Sequence, residues 1–269
     1  MIFKDDYRNQ QLQNEGYIKL NLNLSEALSS LREIYQKYFE RDNIDGLFVS
    51  HSIGDLEKNL SVHNEIVQAC SPFIEVVCDN FEIYAAHFMV KSVDVENTLQ
   101  LHQDWNNVDE TSSNSLQVWI PLGTSSAING GMGVLPRSHK MFNNYRSGSF
   151  DIPRIDLGEI KEHILDIELN SGEALFFYPS TFHCSYKNQT LEDRIVVLLN
   201  IVPKSAQNIY YHKNNHDVEV YAMNTELLFK NVNQLRKGLR PEGVKLLYKK
   251  KYNQKNNRAI TARDLIKLL

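Results

Sequence analysis

The chain has 269 residues, 42% hydrophobic and 23% charged, which is enough apolar material for a full core and excludes global disorder. Its 29 basic and 33 acidic residues leave a net charge of −4, so a strongly basic nucleic-acid binder is excluded as the whole-chain reading. That average hides a division: residues 204–269 hold 14 Lys/Arg against 5 Asp/Glu, while residues 1–203 hold 15 against 28.

Three cysteines (Cys70, Cys78 and Cys184) with no CxxC pair argue against a disulfide scaffold and for a reducing compartment. The opening Met1–Tyr7 puts charges where an export signal needs an apolar run. No apolar stretch approaches the roughly 20 residues of a membrane span. A cytoplasmic protein without a membrane partner is expected.

The first 80 residues read mainly as helix. Ser25 stands where an N-cap belongs, with Leu24, Leu28, Leu31, Ile34 and Tyr35 at helical spacing behind it. A second amphipathic stretch covers about residues 64–81, with Pro72 as an interruption. From Phe81 the texture changes to short β-rich runs: 81–91, 98–105, 116–122, 133–135, 167–169, 174–178, 181–186 and 194–202. Gly, Asn, Ser and Pro clusters separate them, the pattern of an antiparallel sandwich or jelly roll. Past Pro203 the strands are expected to stop. A capped helix is predicted over 224–238, with Leu227, Leu228, Val232 and Leu235 on one face, followed by the basic run Lys249–Lys251. One catalytic domain over 1–203 with a basic, mainly helical extension over 204–269 is the simplest division.

The informative segment is Leu101-His102-Gln103-Asp104-Trp105. In a strand, residues two apart share a face, so His102 and Asp104 point together and Gln103 points away. An imidazole and a carboxylate side by side make two-thirds of a facial metal site. His183, in a strand-like run 81 residues after His102, is the best third ligand. Two histidines and one carboxylate leave adjacent positions open on an octahedral ion, as non-haem Fe(II) oxygenases require. Arg194 opens the following strand and suits the far carboxylate of an oxoacid cosubstrate, because its planar fork pairs bidentately and stays charged when buried.

These residues resemble the phytanoyl-CoA dioxygenase-like family of Fe(II)/2-oxoglutarate oxygenases, through H-x-D at His102/Asp104, the distal His183 and Arg194. The stretch Trp119-Ile120-Pro121-Leu122 followed by Asn129-Gly130-Gly131 and Pro136-Arg137-Ser138-His139 resembles the family's signature over residues 10–203, with Arg137 standing where glycine is commoner. The resemblance implies a double-stranded β-helix (a jelly roll, cupin-like) with N-terminal helices packed on one sheet. It also implies Fe(II) held by His102, Asp104 and His183, 2-oxoglutarate as cosubstrate and O2 as oxidant. Ser185 and Trp119 match residues that hold or line the 2-oxoglutarate pocket, and Met89 matches one on the strand preceding H-x-D. Gln117 shares Trp119's face and is added to this set; His87, Lys91, Gln103 and Trp105 are carried as candidate substrate contacts. An aspartate at 104 implies hydroxylation, or a desaturation or ring closure by the same oxidant, rather than halogenation, whose enzymes have a small residue there; hydroxylation is the reading taken. A cupin-like metal enzyme without 2-oxoglutarate, or a silent binding protein on the same barrel, are the alternatives.

Blander readings stand beside these. His139 reads as a loop anchor, Cys184 as core, and His212/His216 lack a third ligand. The Lys249–Lys251 run reads as a solvated face or as a dock for an anionic, CoA-linked or carrier-linked small-molecule substrate. Nucleic acid is excluded as a partner, since the tail lacks interleaved aromatic residues for stacking.

Overall fold

The computed structural model describes residues 2–39, 46–93, 98–141, 145–253 and 260–268. The N-terminal part is α1 (Asp6–Glu15), β1 (Tyr17–Asn21), α2 (Ser25–Phe39), β2 (Leu47–Val49) and α3 (Leu56–Val77). Asp5 and Asp55 cap α1 and α3 by accepting from the backbone amides of Tyr7 and Lys58, satisfying donors that the first turn leaves free. The expected interruption at Pro72 does not occur, and α3 runs through it. Pro72 is exposed, and so is Gln68, whose carbonyl loses its helical donor on the solvent-facing side of the helix.

The barrel strands are β3 (Phe81–Lys91), β4 (Leu99–His102), β5 (Leu116–Pro121), β6 (Met132–Val134), β7 (Leu165–Asp166), β8 (Glu173–Phe177), β9 (His183–Ser185) and β10 (Arg194–Pro203). They form a six-stranded sheet, β1-β8-β5-β10-β3-β2, and a four-stranded sheet, β4-β9-β6-β7, with every pairing antiparallel. This is the double-stranded β-helix. The strand period of two sorts the side chains into two layers. Phe88, Val118, Ile120, Phe176, Val197 and Leu199 face outward against Leu28 and Leu31 of α2 and Ile66 and Ile74 of α3. Trp119, Leu175, Phe177, Val196 and Leu198 face inward against Met132 and Val134. Being covered on both sides, β5 is buried at all six positions and reads as an apolar run rather than an alternation.

Four expectations are corrected. The strand over 98–105 ends at His102, and the one over 167–169 is replaced by β7 two residues earlier plus a single bridge from Leu169 to Ser125. β1 and β2 lie in the stretch expected to be helical. The extension past Pro203 is not mainly helical: β11 (Ile209–Asn214), β12 (Asp217–Ala222) and β13 (Leu246–Lys251) form a third antiparallel sheet, with α4 (Thr225–Arg236) and α5 (Ala262–Ile266) beside it. β13 was illegible because an exposed edge strand carries no apolar alternation and is rich in lysine. Its lysines are engaged within the fold. Lys249 and Lys251 lie 2.9 Å from Glu219 and Asp217, and Lys250 covers the rings of Tyr145 and Tyr211 at 5.0 and 5.4 Å. The extension also shares a core with the barrel, since Phe229 and Leu235 of α4 pack with Tyr84, Ala85, Val202 and Tyr210.

Candidate metal and oxoacid site

His102 and His183 are cross-strand partners in the β4–β9 pairing, and their rings lie 4.4 Å apart. Each imidazole sets its Nδ1 against a backbone carbonyl, Gln100 at 2.8 Å and Thr181 at 2.9 Å. That contact fixes Nδ1 as the protonated nitrogen and turns the Nε2 lone pair inward, the outer-sphere arrangement typical of metal-ligating histidines. Asp104 sits just beyond the strand end. Its Oδ1 is 3.6 Å from His102 Nε2 and its Oδ2 is 3.5 Å from His183 Nε2. The three ligand atoms lie within 4.8 Å of one another, the one such cluster among the described residues. Burial would raise the Asp104 pKa, but His183, His102 and a hydrogen bond from the Gln117 amide outweigh it and hold the carboxylate ionised. Burial lowers His183 to about 4, helped by His102, so it is neutral and able to ligate near pH 7.

Because β4 ends at His102, strand parity alone does not place Asp104. Its amide donates to Pro179 O at 2.8 Å, and its own carbonyl accepts from Arg146 Nε at 2.6 Å. Gln103 commits its side-chain amide to Ser180 O and Met141 O. Gln117 donates to the Asp104 carboxylate and lines the same cavity as the cluster.

The second element of the site is Arg194. It is 3% exposed, yet Nε, Nη1 and Nη2 are all buried without a hydrogen-bond partner, and its Cζ lies 4.8 Å over the Trp119 ring. A fully buried guanidinium with every donor unspent calls for an anionic ligand, since the uncompensated charge is costly. Lys91 is Arg194's neighbour across the β3–β10 pairing and donates to Ser185 Oγ at 2.8 Å and to the Tyr186 carbonyl. Lys91, a candidate substrate contact from the sequence, is thus placed beside Arg194 and Ser185. The Asn129-Gly130-Gly131 turn explains itself here: Gly130 has φ +79, and a Cβ on it would collide with Cδ of Lys91.

Both elements open on one cavity of about 730 Å³, lined also by Met89, Trp105, Trp119 and His87. Sequence reading missed the contributions of His51, Phe150, Asn200 and three α4 residues, Leu228, Val232 and Arg236. Only the amphipathic pattern of α4 was legible, with no hint that its rim closes the site. His139 acts as the expected anchor, with Nε2 3.0 Å from Gln13 O and its ring against Tyr178.

With the geometry in hand, comparison with known proteins is decisive at the level of family. The family model for phytanoyl-CoA dioxygenase (PhyH) matches residues 36–196, more than half of the chain. The chain belongs to the phytanoyl-CoA dioxygenase family.

No curated protein matches the sequence. Among solved structures, the epimerase SnoN in complex with Fe3+, alpha ketoglutarate and nogalamycin RO is similar with TM-score 0.54 and 13% identity, over 76% of this chain and 85% of that one. HygX from Streptomyces hygroscopicus, with nickel and 2-oxoglutarate bound, is similar with TM-score 0.55 and 11% identity, over 75% and 88%. The non-heme monooxygenase ThoJ gives TM-score 0.53 and 17% identity, over 80% and 82%. At these identities the likeness is one of fold. The PhyH cofactors, Fe(II), 2-oxoglutarate and O2, fit the residues present: three converging ligand atoms, and beside them a buried cation with three unspent donors. Among the described residues, no helix is long and apolar enough to cross a membrane.

Proposed function

We propose that the chain is an Fe(II)/2-oxoglutarate-dependent hydroxylase of a small molecule, with His102, Asp104 and His183 holding the metal and Arg194, Ser185 and Lys91 holding the distal carboxylate of the cosubstrate. The observation that carries this reading is the pairing of a complete His–Asp–His cluster with the unpartnered, buried Arg194. Bound Fe(II) would supply the activation of O2, with 2-oxoglutarate oxidised to succinate and CO2 as one oxygen atom enters a substrate C–H bond.

The chain's own residues do the rest. Gln117 orients the Asp104 carboxylate by donating to it. Trp119, stacked on Arg194, with Met89 walls the cosubstrate from bulk water. Phe177, whose ring lies 5.1 Å from that of His183, restricts rotation of that imidazole. Asp104 supports hydroxylation over halogenation, since its carboxylate takes the position that a halide would need.

Anaerobic addition of Fe(II) and 2-oxoglutarate tests the class, because bidentate chelation gives a visible charge-transfer band. A succinate-release screen against a metabolite panel, with product masses, tests the reaction. A gain of one oxygen atom is expected. An unchanged mass, as in epimerisation, or the loss of two hydrogens would overturn hydroxylation while leaving the cofactor assignment intact. Asp104→Ala should abolish succinate formation.

A further inference from the structure

Away from Arg194, the same cavity has a second polar pole that the metal and cosubstrate do not use. His51, on the 3-10 turn Ser50–Ile53, and His87, on the inner face of β3, meet edge to face with ring centroids 4.2 Å apart. His87 is 4% exposed, and the Nδ1 atoms of both rings are buried without a hydrogen-bond partner. Asn200, across β10 on the same cavity, has a buried Oδ1 that is likewise unpartnered. Arg236, the last residue of α4, completes the group at the rim. It donates through Nη1 to Ser52 Oγ, next to His51, and forms no ion pair among the described residues. Its charge reaches both rings, because after burial it is among the causes that push His51 and His87 below their ordinary range, His87 to about 3.

Buried polar atoms without partners are rare in folded proteins, and the two imidazole nitrogens lining one cavity indicate groups that a ligand satisfies, whereas Asn200 Oδ1 is an acceptor and calls for a donor such as a hydroxyl on the same ligand. The charge balance says what kind. Among the described residues, the one carboxylate lining this cavity apart from Asp104 is Asp151 at the exposed rim, whereas Arg236 and Arg154 are both cationic there. Two imidazoles and a guanidinium without a carboxylate are a donor set for an anion. His87 and Lys91 are four residues apart on β3, so this pole lies roughly 13 Å along the strand from the Arg194–Lys91 pole, too far for one small oxoacid to span both. His87 and Arg236 line the same cavity as His102, Asp104 and His183, so a ligand held here shares that cavity with the His–Asp–His cluster.

We propose that His51, His87 and Arg236 form an anion-binding pole for the substrate, so that the molecule oxidised is a small anion whose carboxylate or phosphate group docks under α4. This deepens the hydroxylase reading, on which it rests for the identity of the cavity as a substrate site. It also gives the C-terminal extension a part in substrate binding through α4 rather than through the lysines of β13.

The test is calorimetric titration of the full chain, loaded with Ni(II) and saturating 2-oxoglutarate so that the Arg194 pole is filled, with sulfate as a non-chelating anion. Saturable sulfate binding is expected, weakened about tenfold or more by Arg236→Gln and by His87→Leu, with 2-oxoglutarate affinity unchanged in both. Arg236 lies at the rim, so its variant keeps the test open if His87→Leu fails to fold. Absence of sulfate binding, or sulfate binding insensitive to Arg236→Gln, overturns the proposal. Parallel titrations with methyl phosphate and acetate distinguish the two anion sources. Failure of 2-oxoglutarate to bind the Ni(II)-loaded chain would instead overturn the hydroxylase reading; sulfate titration of the metal-free chain, comparing Arg236→Gln with Arg194→Met, then still decides where the anion docks.

Discussion

Arg146 donates from Nε to the backbone carbonyl of Asp104 at 2.6 Å, so the carboxylate of the His–Asp–His cluster is held from below by a guanidinium that is itself wholly buried. The charge is balanced by Glu110, 2.6 Å from Nη2, and the backbones interlock where Asn106 N donates to Arg146 O and Asn106 Oδ1 accepts from Arg146 N. This clamp replaces the strand pairing that Asp104 lacks. Glu110→Gln removes the carboxylate charge 2.6 Å from this buried cation, and a loss of about 3 kcal/mol in urea unfolding is expected. The double variant Arg146→Met/Glu110→Leu should recover most of that stability, since apolar replacement of a buried pair is often neutral. It should not recover Fe(II) affinity, because Asp104 O has lost its donor. Equal recovery of both would reduce the clamp to a packing feature.

Lys91 gives the cosubstrate pole a pH dependence. Burial first, and Arg194 second, lower its amine to about 7. Below that pH it carries a second positive charge next to Arg194, and a bound dicarboxylate favours the charged form. Affinity for 2-oxoglutarate in the Ni(II)-loaded chain should therefore rise as pH falls from about 8.5 to 7, with proton uptake visible as a buffer-dependent heat of binding. Lys91→Met should bind about tenfold more weakly near pH 7, a change of ~1.4 kcal/mol, and lose that pH dependence. A variant with the wild-type slope would remove Lys91 from the pole.

The barrel was legible because its strands are covered on both faces and bounded by Gly and Asn turns; β3 and β10 were found within a residue of their ends. His102, Asp104, His183 and Arg194 were legible as chemistry that few residue types can perform at that spacing. What stayed hidden depends on long-range packing. β1 pairs with β8 across more than 150 residues, and β13 is a polar edge strand, so neither has a local apolar signature. Lys91 shares a strand face with His87, and parity could not say that one neighbours Arg194 and the other His51. The part of α4 in the cavity arises from the core it shares with Tyr84 and Val202, which no spacing encodes.

His63 makes folding acid-sensitive. It is 7% exposed and accepts a hydrogen bond at Nδ1 from the Ala86 amide at 3.0 Å, so it must stay neutral at that nitrogen. Burial lowers its pKa from 6.5 to about 4. With the folded value below the unfolded one, the contribution is full above pH 6.5 and is lost as pH falls through the window to about 4. The loss due to this residue is roughly 3 kcal/mol at the bottom of the window. His63→Asn keeps an acceptor near the Ala86 amide without a titrating ring, so urea unfolding between pH 7 and 4 should show a shallower decline. A decline as steep as wild type would assign acid sensitivity to other groups.

Arg137 occupies the signature position where glycine is commoner, and it does so with φ +64, in the left-handed region. The other non-glycine residues there, Asn23, Asn80 and Asn215, belong to the type that tolerates it, whereas arginine has no such allowance. The conformation is imposed by the backbone: Arg137 N donates to Glu15 O at 2.8 Å, tying the loop to the end of α1. The side chain returns little, since its Nε is 3.9 Å from the Glu15 carboxylate and both side chains are about 40% exposed. Arg137→Gly removes the Cβ strain but adds freedom to the unfolded chain, and the balance should be a gain of about 0.5–1 kcal/mol. For a chain of this size that raises Tm by about 2 °C. Arg137→Ala separates the causes, because it deletes the guanidinium and keeps the Cβ: no gain is expected from it. If alanine stabilises as much as glycine does, the cost at this position lies in the charge and not in the backbone.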